Sequence, residues 1–447
     1  MTMDRPPVPA ALTPVADNER IQSLDVVRGF ALIGILLMNV EFFNRATATL
    51  GSGMQAGLTG ANFWVSYFVQ YFVVGKFWTI FSLLFGMGFA VMLTRAERAG
   101  RGFLVPYMRR IAALAIFGAL HHIFLFSGDI LFSYAVAVTA LLIVLYGRAK
   151  WILLAIVACT GAGFIPGMDW MFGIAGGLAF FGFVAWWLRG EQRMWYFGKP
   201  LAVSFVFILV GTLAVIGGAV CWAVPDMPPQ ARFGLPLLGA AFVTLGLFTR
   251  KYHADQPARS WRIGVGIYCF SFLMMTGAGA SMYFFPEKPP AVATKEQAEK
   301  QKKQLAERAK NLKERDERIK NETTALTKGS YGDVVTLRAK HFAENAPGEV
   351  GFATILIGMF LIGSWFVRSG IMEKAQAHLP LFRKLAIVGL PIGIGMGLLG
   401  SAIAMHRVPG SQGADGFQLA SGLQMLGNLP ASIGYVSLVI LMLYSAS

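Results

Sequence analysis

Two adjacent histidines and an aspartate lie where polar side chains are rare in this chain. His121 and His122 end one apolar run, and Asp129 stands in the short polar break before the next run begins. A neutral imidazole can take up a proton or act as a nucleophile near pH 7. A carboxylate within hydrogen-bonding reach can orient such a ring. These three residues are therefore the first candidates for chemistry.

The polar break at 127–129 predicts a tight turn between two membrane helices. His121 would lie about two helical turns before it, roughly 9 to 12 Å along the helix axis. An ionisable group at that depth is a candidate functional group. A simpler interpretation stays open, in which His121 bonds only to a neighbouring helix and Asp129 only caps the next helix.

The first apolar run carries a second set of polar side chains. Asp25 and Arg28 are three residues apart and share a helix face, and Asn39 returns to that face nearly three turns later. The Asp25–Arg28 pair could anchor the helix to its neighbours or line a polar path, and Lys76 at the start of a later run could line the same path. Structural anchoring is the favoured role for the pair.

Composition defines the class of protein that must position these groups. Hydrophobic residues make up 55% of the 447 residues, charged residues 14%, and the mean hydropathy is +0.56. Such values are typical of a polytopic membrane protein. We predict an all-α transmembrane helical bundle of about twelve spans, from the runs 23–43, 76–94, 107–126, 129–147, 151–167, 170–188, 200–224, 233–249, 263–285, 349–367, 385–405 and 424–446.

The distribution of lysine and arginine predicts the orientation of these spans. If the N-terminus is cytoplasmic, 21 of the 39 basic residues fall on the cytoplasmic side and only four in the opposite short loops, while the rest lie in one long loop. Positive charge is enriched in cytoplasmic loops. We therefore expect both termini to be cytoplasmic and the His121/Asp129 turn to be extracytoplasmic. The net charge of +15 is then an orientation signal, and a nucleic-acid partner is not expected.

Two segments outside the spans are predicted to be helical. The aromatic segment 62–74 precedes a span without a polar break, and we expect an interfacial helix that bends at Gly75. The long loop 287–348 contains a highly charged helix at 295–327, in which apolar residues recur every seven positions. Only one of the two apolar positions of a coiled-coil heptad is filled in this way. The pattern fits either a solvated helix packed on the protein or a self-associating helix in a homo-oligomer.

Four motifs, in the same order, resemble the YeiB-like family of bacterial membrane proteins of unknown function. They are Leu24-Asp25-x-x-Arg28-Gly29 with Asn39, Gly75-Lys76-Phe77 through Gly86-x-Gly88, His121 with Gly128-Asp129-Ile130-Leu131, and Gly329-Ser330-Tyr331 with Arg338. The family is similar to a transmembrane acyltransferase superfamily, in which a histidine carries an acyl group across the membrane. The resemblance implies that His121 is the functional histidine and faces the interior, and that His122 faces another helix.

The chain departs from the family pattern in three places. Residues 151–262 add four spans, Ser127 stands where relatives often carry an acidic residue, and the chain stops at Ser447 just after a span, which suggests a truncated reading frame. Ser127 implies that a site with two carboxylates is not available. The expected organisation is a cytoplasmic tail at 1–22, a core at 23–150, the insertion at 151–262, a span at 263–286, the extracytoplasmic loop at 287–348 and the last spans at 349–447.

The resemblance implies an acyltransferase in the bacterial plasma membrane. His121 would accept the acyl group or act as a base, Asp129 would orient it, and Arg28, Arg109 and Arg110 would hold the phosphates of acyl-CoA as a co-substrate. We expect no tightly bound cofactor and no metal, and an acceptor that is a small molecule, a lipid or a glycan.

Two alternatives stay open. A transporter or channel would use polar residues along a path for a small solute or ion, namely Asp25, Arg28, Asn39, Lys76, His121 and Asp129. A non-catalytic scaffold would recruit a partner through the extracytoplasmic helix.

Overall fold

The computed structural model describes residues 21–43, 45–49, 53–55, 57–190, 193–196, 199–224, 227, 229–252, 255–285, 295–406 and 415–445. The predicted tail at 1–22 lies outside these residues except for its last two positions, and so do Ala446 and Ser447. Within the described residues the fold is a helical bundle with one short β-hairpin.

The helices run in chain order as α1 Gln22–Asn39, α2 Gly60–Phe68, α3 Lys76–Arg98, α4 Leu104–Phe124, α5 Leu131–Tyr146, α6 Ala149–Ala162, α7 Trp170–Arg189, α8 Val203–Ala223, α9 Pro229–Tyr252, α10 Arg259–Phe284, α11 Lys295–Lys328, α12 Tyr331–Asn345, α13 Glu349–Arg368, α14 Leu379–Met405 and α15 Phe417–Ser445. The hairpin pairs β1 Arg193–Tyr196 with β2 Lys199–Ala202 in antiparallel register.

Every one of the twelve predicted runs forms a helix. Nine helices of the described residues are long and apolar enough to cross a membrane: α1, α3, α7, α8, α9, α10, α13, α14 and α15. The apolar helices α5 and α6 are shorter, at 16 and 14 residues. Helix α4 carries two arginines and two histidines and falls outside both groups. The predicted class, an all-α polytopic bundle, is confirmed.

Helix α13 forms the centre of the bundle and packs against α3, α5, α7 and α10. Glycines bring these helices into close contact: a Cβ atom added at Gly363 would lie 2.0 Å from the carbonyl oxygen of Leu83 in α3. Small residues at helix contacts are the usual means of close packing in lipid. Helices α14 and α15 pair along their length, as do α8 and α9, which belong to the predicted insertion.

The predicted bend at Gly75 is present, but the segment before it is not a regular helix to its end. Helix α2 continues through a π-helical turn, Val69–Val73, before the chain bends at Gly75, whose φ is +83°. Glycine adopts this left-handed region without steric cost. A π-helical turn leaves carbonyl groups without their usual partners, and Lys76 and Tyr435 bond to two of them, at Tyr71 and Phe72.

The long loop contains two helices, whereas its sequence pattern predicted one. Helix α11 covers the predicted charged segment, and the second helix, α12, begins after Ser330, whose hydroxyl forms a capping box with Asp333. The two halves of the apolar stripe of α11 differ in exposure. Leu305 and Leu312 are 43% and 50% exposed, whereas Ile319 and Leu326 are half-buried. Only the second half of the stripe is therefore packed on the protein.

Candidate active site at the α4–α5 hairpin

The turn between α4 and α5 brings His121 and Asp129 into direct contact. The backbone N–H groups of Leu125 and Phe126 both bond to the carbonyl of His121, which ends the helix and reverses the chain. The His121 Nδ1 atom then lies 2.7 Å from Asp129 Oδ2. The Asp129 side chain is 5% exposed and that of His121 is 35% exposed. The turn thus places a partly accessible imidazole on a buried carboxylate.

Asp129 has two structural roles at once. Its Oδ1 atom accepts a hydrogen bond from the Leu131 N–H at 2.7 Å, which caps the start of α5, while Oδ2 contacts His121. Asp129 thus bonds to the first residue of α5 and also contacts His121, while its role in orienting the ring stays a prediction. Burial raises the pKa of the Asp129 carboxyl, and the hydrogen bonds to Leu131 and His121 act in the opposite direction.

Contact with a carboxylate determines which imidazole nitrogen is available for chemistry. Nδ1 is the nitrogen that faces the carboxylate at 2.7 Å, although the N–H direction does not point at Oδ2. A proton on Nδ1 in the neutral ring leaves the lone pair on Nε2. The Nε2 atom has no hydrogen-bond partner among the described residues. A ring held in this way can act as a general base or as a nucleophile.

His122 points in a different direction from His121. Its ring packs on Phe342 of α12, with ring centroids 5.2 Å apart, and Phe132 of α5 contacts the same phenyl ring at 4.9 Å. This agrees with the expectation that His122 faces another helix. The two adjacent histidines therefore have separate environments.

Helix α12 bonds to the end of α4. Tyr331 donates from its hydroxyl to the Phe124 carbonyl, and Arg338 donates from Nη1 to the Leu125 carbonyl, both at 2.9 Å. The last carbonyls of a helix lack partners within the helix and favour positive charge. Tyr331 and Arg338 belong to the fourth sequence motif, so that motif and the histidine motif meet in space.

Helix α11 supplies a buried carboxylate that the sequence analysis did not identify. Glu322 is 6% exposed, and its Oε1 accepts hydrogen bonds from the Thr47 N–H at 2.9 Å and hydroxyl at 2.6 Å. The Thr47 hydroxyl is also 2.7 Å from the Ser127 hydroxyl in the α4–α5 turn. Because Glu322 lies among many exposed charges, its spacing gave no signal that it is buried.

A further carboxylate, Glu349, begins α13. Ser133 of α5 lies beside it, and its Oε2 is buried without a hydrogen-bond partner among the described residues. Ser133 lies one helical turn beyond Asp129. Glu322 and Glu349 come from distant parts of the sequence, and among the described residues neither contacts His121 or Asp129, so the expectation that Ser127 leaves no two-carboxylate site stays a prediction.

Two of the three arginines assigned to acyl-CoA lie against the same helix, α3. Arg28 is paired with Asp25 at 2.9 Å, and its Nη2 lies 3.9 Å from the position of a Cβ at Gly88. Arg110 Nη1 is 2.6 Å from Met92 Sδ, one turn further along α3. The Arg109 side chain is exposed.

The remaining polar candidates lie apart from the hairpin. Asn39 is half-buried at the end of α1. Lys76 is 1% exposed, and its Nζ donates to the Tyr71 carbonyl at 2.6 Å and faces Gly397 of α14. Its contacts share no residue with those of His121 and Asp129, so Lys76 belongs to a separate cluster.

Fold and site together define a polytopic helical membrane protein with a histidine–aspartate pair in a helical hairpin. Residues 366–447, the end of α13 with α14 and α15, match the family described as protein of unknown function DUF418. The chain is 35% identical over 150 residues to the uncharacterized protein YxaH of Bacillus subtilis, covering 32% of this chain and 37% of YxaH. These matches, with that to YeiB, confirm the predicted resemblance to the YeiB-like family.

YeiB of Escherichia coli is 34% identical over 117 residues, which cover 26% of this chain and 29% of YeiB. An uncharacterized protein of Bacillus acidopullulyticus is 37% identical over 113 residues, with 25% and 31% coverage. The chain thus matches about a third of the length of these curated relatives. No solved structure gives a significant match.

Proposed function

We propose that the protein is a membrane acyltransferase in which His121 receives an acyl group from acyl-CoA and passes it to an acceptor on the other side of the membrane. The observation that carries the proposal is the 2.7 Å contact between His121 Nδ1 and Asp129 Oδ2, on a ring that is 35% exposed. This contact leaves Nε2 as the reactive atom. The reaction class comes from the similarity of the YeiB-like family to a superfamily of histidine-dependent acyltransferases.

The chemistry requires only the groups at the hairpin and the two substrates. The Nε2 lone pair attacks the thioester carbonyl, the C–S bond breaks, and the thiol leaves with a proton from solvent. The acyl-imidazolium that forms is positively charged, and the Asp129 carboxylate stabilises it through the Nδ1–H hydrogen bond. An acceptor hydroxyl or amine then attacks the acyl carbon, the C–Nε2 bond breaks, and the proton of the acceptor returns to solvent.

The position of Arg110 is compatible with a donor that enters from the opposite end of the bundle. Arg110 and His121 are eleven residues apart on α4, which corresponds to about 16 Å along the axis and to directions within about 20° of each other. An extended pantetheine arm spans a comparable distance. Arg110, with Arg28 on the neighbouring side of α3, would bind the phosphates, whereas Arg109 is turned about 100° away from Arg110.

A transporter is the second candidate, and a different observation favours it. The helix break at Gly75 lies within the protein, beside the buried Lys76, and broken helices with buried irregular backbone are common at transporter binding sites. In that case the hairpin histidine would act in proton or solute movement and would carry no covalent intermediate.

The test uses purified full-length protein and radiolabelled acetyl-CoA. We expect label to remain on the wild type after rapid denaturation and to be released by neutral hydroxylamine, as an acyl-imidazole would be. His121→Ala should lose the label, and His122→Ala, which alters the neighbouring ring on Phe342, should retain it. Absence of label from the wild type, or equal label in all three proteins, would overturn the proposal.

A further inference from the structure

A cavity lies at a second place in the bundle, bounded by the segment before α2, the π-helical turn, the end of α14 and the start of α15. Its volume is about 260 Å³. Amide, hydroxyl and aromatic side chains line it, including Phe63, Gln70, Tyr71, Phe417, Ser421 and Gln424. None of the described residues that line it is acidic or basic. The described lining is thus a mixture of polar and apolar groups without a charged side chain.

Lys76 is a buried cation close to this cavity. Its side chain is 1% exposed, and among the described residues its ammonium has one hydrogen-bond partner, the Tyr71 carbonyl at 2.6 Å. An ammonium has three N–H donors, so two donors remain. A buried charge with so little compensation is costly unless another group supplies an opposite charge.

The neighbouring glycines of α14 locate the ammonium relative to the cavity. Lys76 Nζ lies 3.6 Å from the position that a Cβ at Gly397 would take. Gln424, which lines the cavity, lies 3.2 Å from the corresponding position at Gly400, one turn further along α14. The ammonium therefore borders the cavity through Tyr71, whose carbonyl it bonds to at 2.6 Å and which is part of the lining.

We propose that this cavity binds a small organic carboxylate, with its negative charge directed toward Lys76. One ammonium matches one negative charge, whereas a phosphate group would bring between about 1.5 and 2. The amides of Gln70 and Gln424 and the Ser421 hydroxyl can donate to carboxylate oxygens. Phe63 and Phe417 would contact the apolar part of the ligand. The proposal does not depend on acyl transfer at His121.

The test compares carboxylates with neutral molecules of the same shape. Purified full-length protein in detergent is heated with lactate or lactamide, and with benzoate or benzamide, at constant ionic strength set by sodium chloride. We expect at least one carboxylate to raise the Tm in a saturable manner, because a ligand that binds only the folded state stabilises it. The matching amide should have at least tenfold lower affinity.

Three variants identify the residues responsible. Lys76→Gln should weaken carboxylate binding at least tenfold, and Lys76→Arg should preserve part of it. Gln424→Leu alters the cavity wall without removing the cation, and it should weaken binding even if Lys76→Gln fails to fold. The proposal is overturned if neither carboxylate binds the wild type, if each amide binds as well as its acid, or if Gln424→Leu binds like the wild type.

Discussion

Glu322, in the long charged loop, accepts two hydrogen bonds from Thr47, which follows the first helix 275 residues earlier. The Thr47 hydroxyl also contacts Ser127, so Glu322 fastens α11 to the α4–α5 hairpin. A charged helix that looks solvated in the sequence is therefore attached to the α4–α5 turn through Thr47.

Replacing Glu322 with alanine should destabilise this end of the bundle. Two Thr47 donors would lose their acceptor, and unsatisfied buried donors cost about 1 to 3 kcal/mol. We expect a lower Tm in detergent and faster proteolysis of α11. Glu317→Ala is the matched control, because Glu317 lies on the same helix with a side chain that is 60% exposed. Equal effects of the two changes would contradict a fastening role for Glu322.

The pH dependence of stability should identify Asp129. The pKa of the Asp129 carboxyl is raised in the folded protein, whereas in the unfolded state it is near 3.9. The folded state therefore binds the carboxyl proton more tightly than the unfolded state does. Stability from this group therefore increases as pH falls through the folded pKa toward about 4. We expect the Tm of the wild type minus that of Asp129→Asn to increase between about pH 7 and pH 4. A decrease over this window would contradict the direction of the shift.

The Asp25–Arg28 pair should contribute less to the free energy of unfolding than its position in a membrane helix suggests. Its side chains are 48% and 46% exposed, and exposed pairs of this kind couple by about 0.2 to 1 kcal/mol. A double-mutant cycle with Asp25→Asn and Arg28→Gln, measured as unfolding free energy, should give a coupling within that range. A coupling of several kcal/mol would show that the pair is effectively buried.

Local patterns predicted those features that depend on neighbouring residues. The twelve runs, the bend at Gly75 and the turn at 127–129 follow from hydropathy and from residue types that break helices. The contacts of Asp129 with the start of α5 and with His121 could also be anticipated. Glu322 and Glu349 could not, because their burial results from helices that meet across long stretches of sequence. Helix α12 was missed because its polar residues resemble those of the charged segment before it.

The orientation in the membrane stays a prediction, and labelling of intact cells can test it. In a background where Cys159, Cys221 and Cys269 are replaced by alanine, a cysteine at Asn311 in α11 should react with a reagent that cannot cross the membrane. One at Gly100, between α3 and α4, should react only after the cells are opened. Both positions are exposed. The reverse pattern would place both termini outside.

Gly75 should tolerate no side chain. Its φ of +83° with ψ of −39° is a sparsely populated conformation that costs other residues about 1 to 3 kcal/mol. A Cβ there would also lie 2.1 Å from Asn428 Nδ2, in a buried contact between the helix break and α15. Gly75→Ala should therefore lower the Tm markedly and displace Asn428. Gly29→Ala is the control, because Gly29 lies within α1 and a Cβ there meets nothing within 4 Å, so its Tm should stay the same or increase. If Gly75→Ala were as stable as Gly29→Ala, the break at Gly75 and its contact with α15 would not exist in the folded protein.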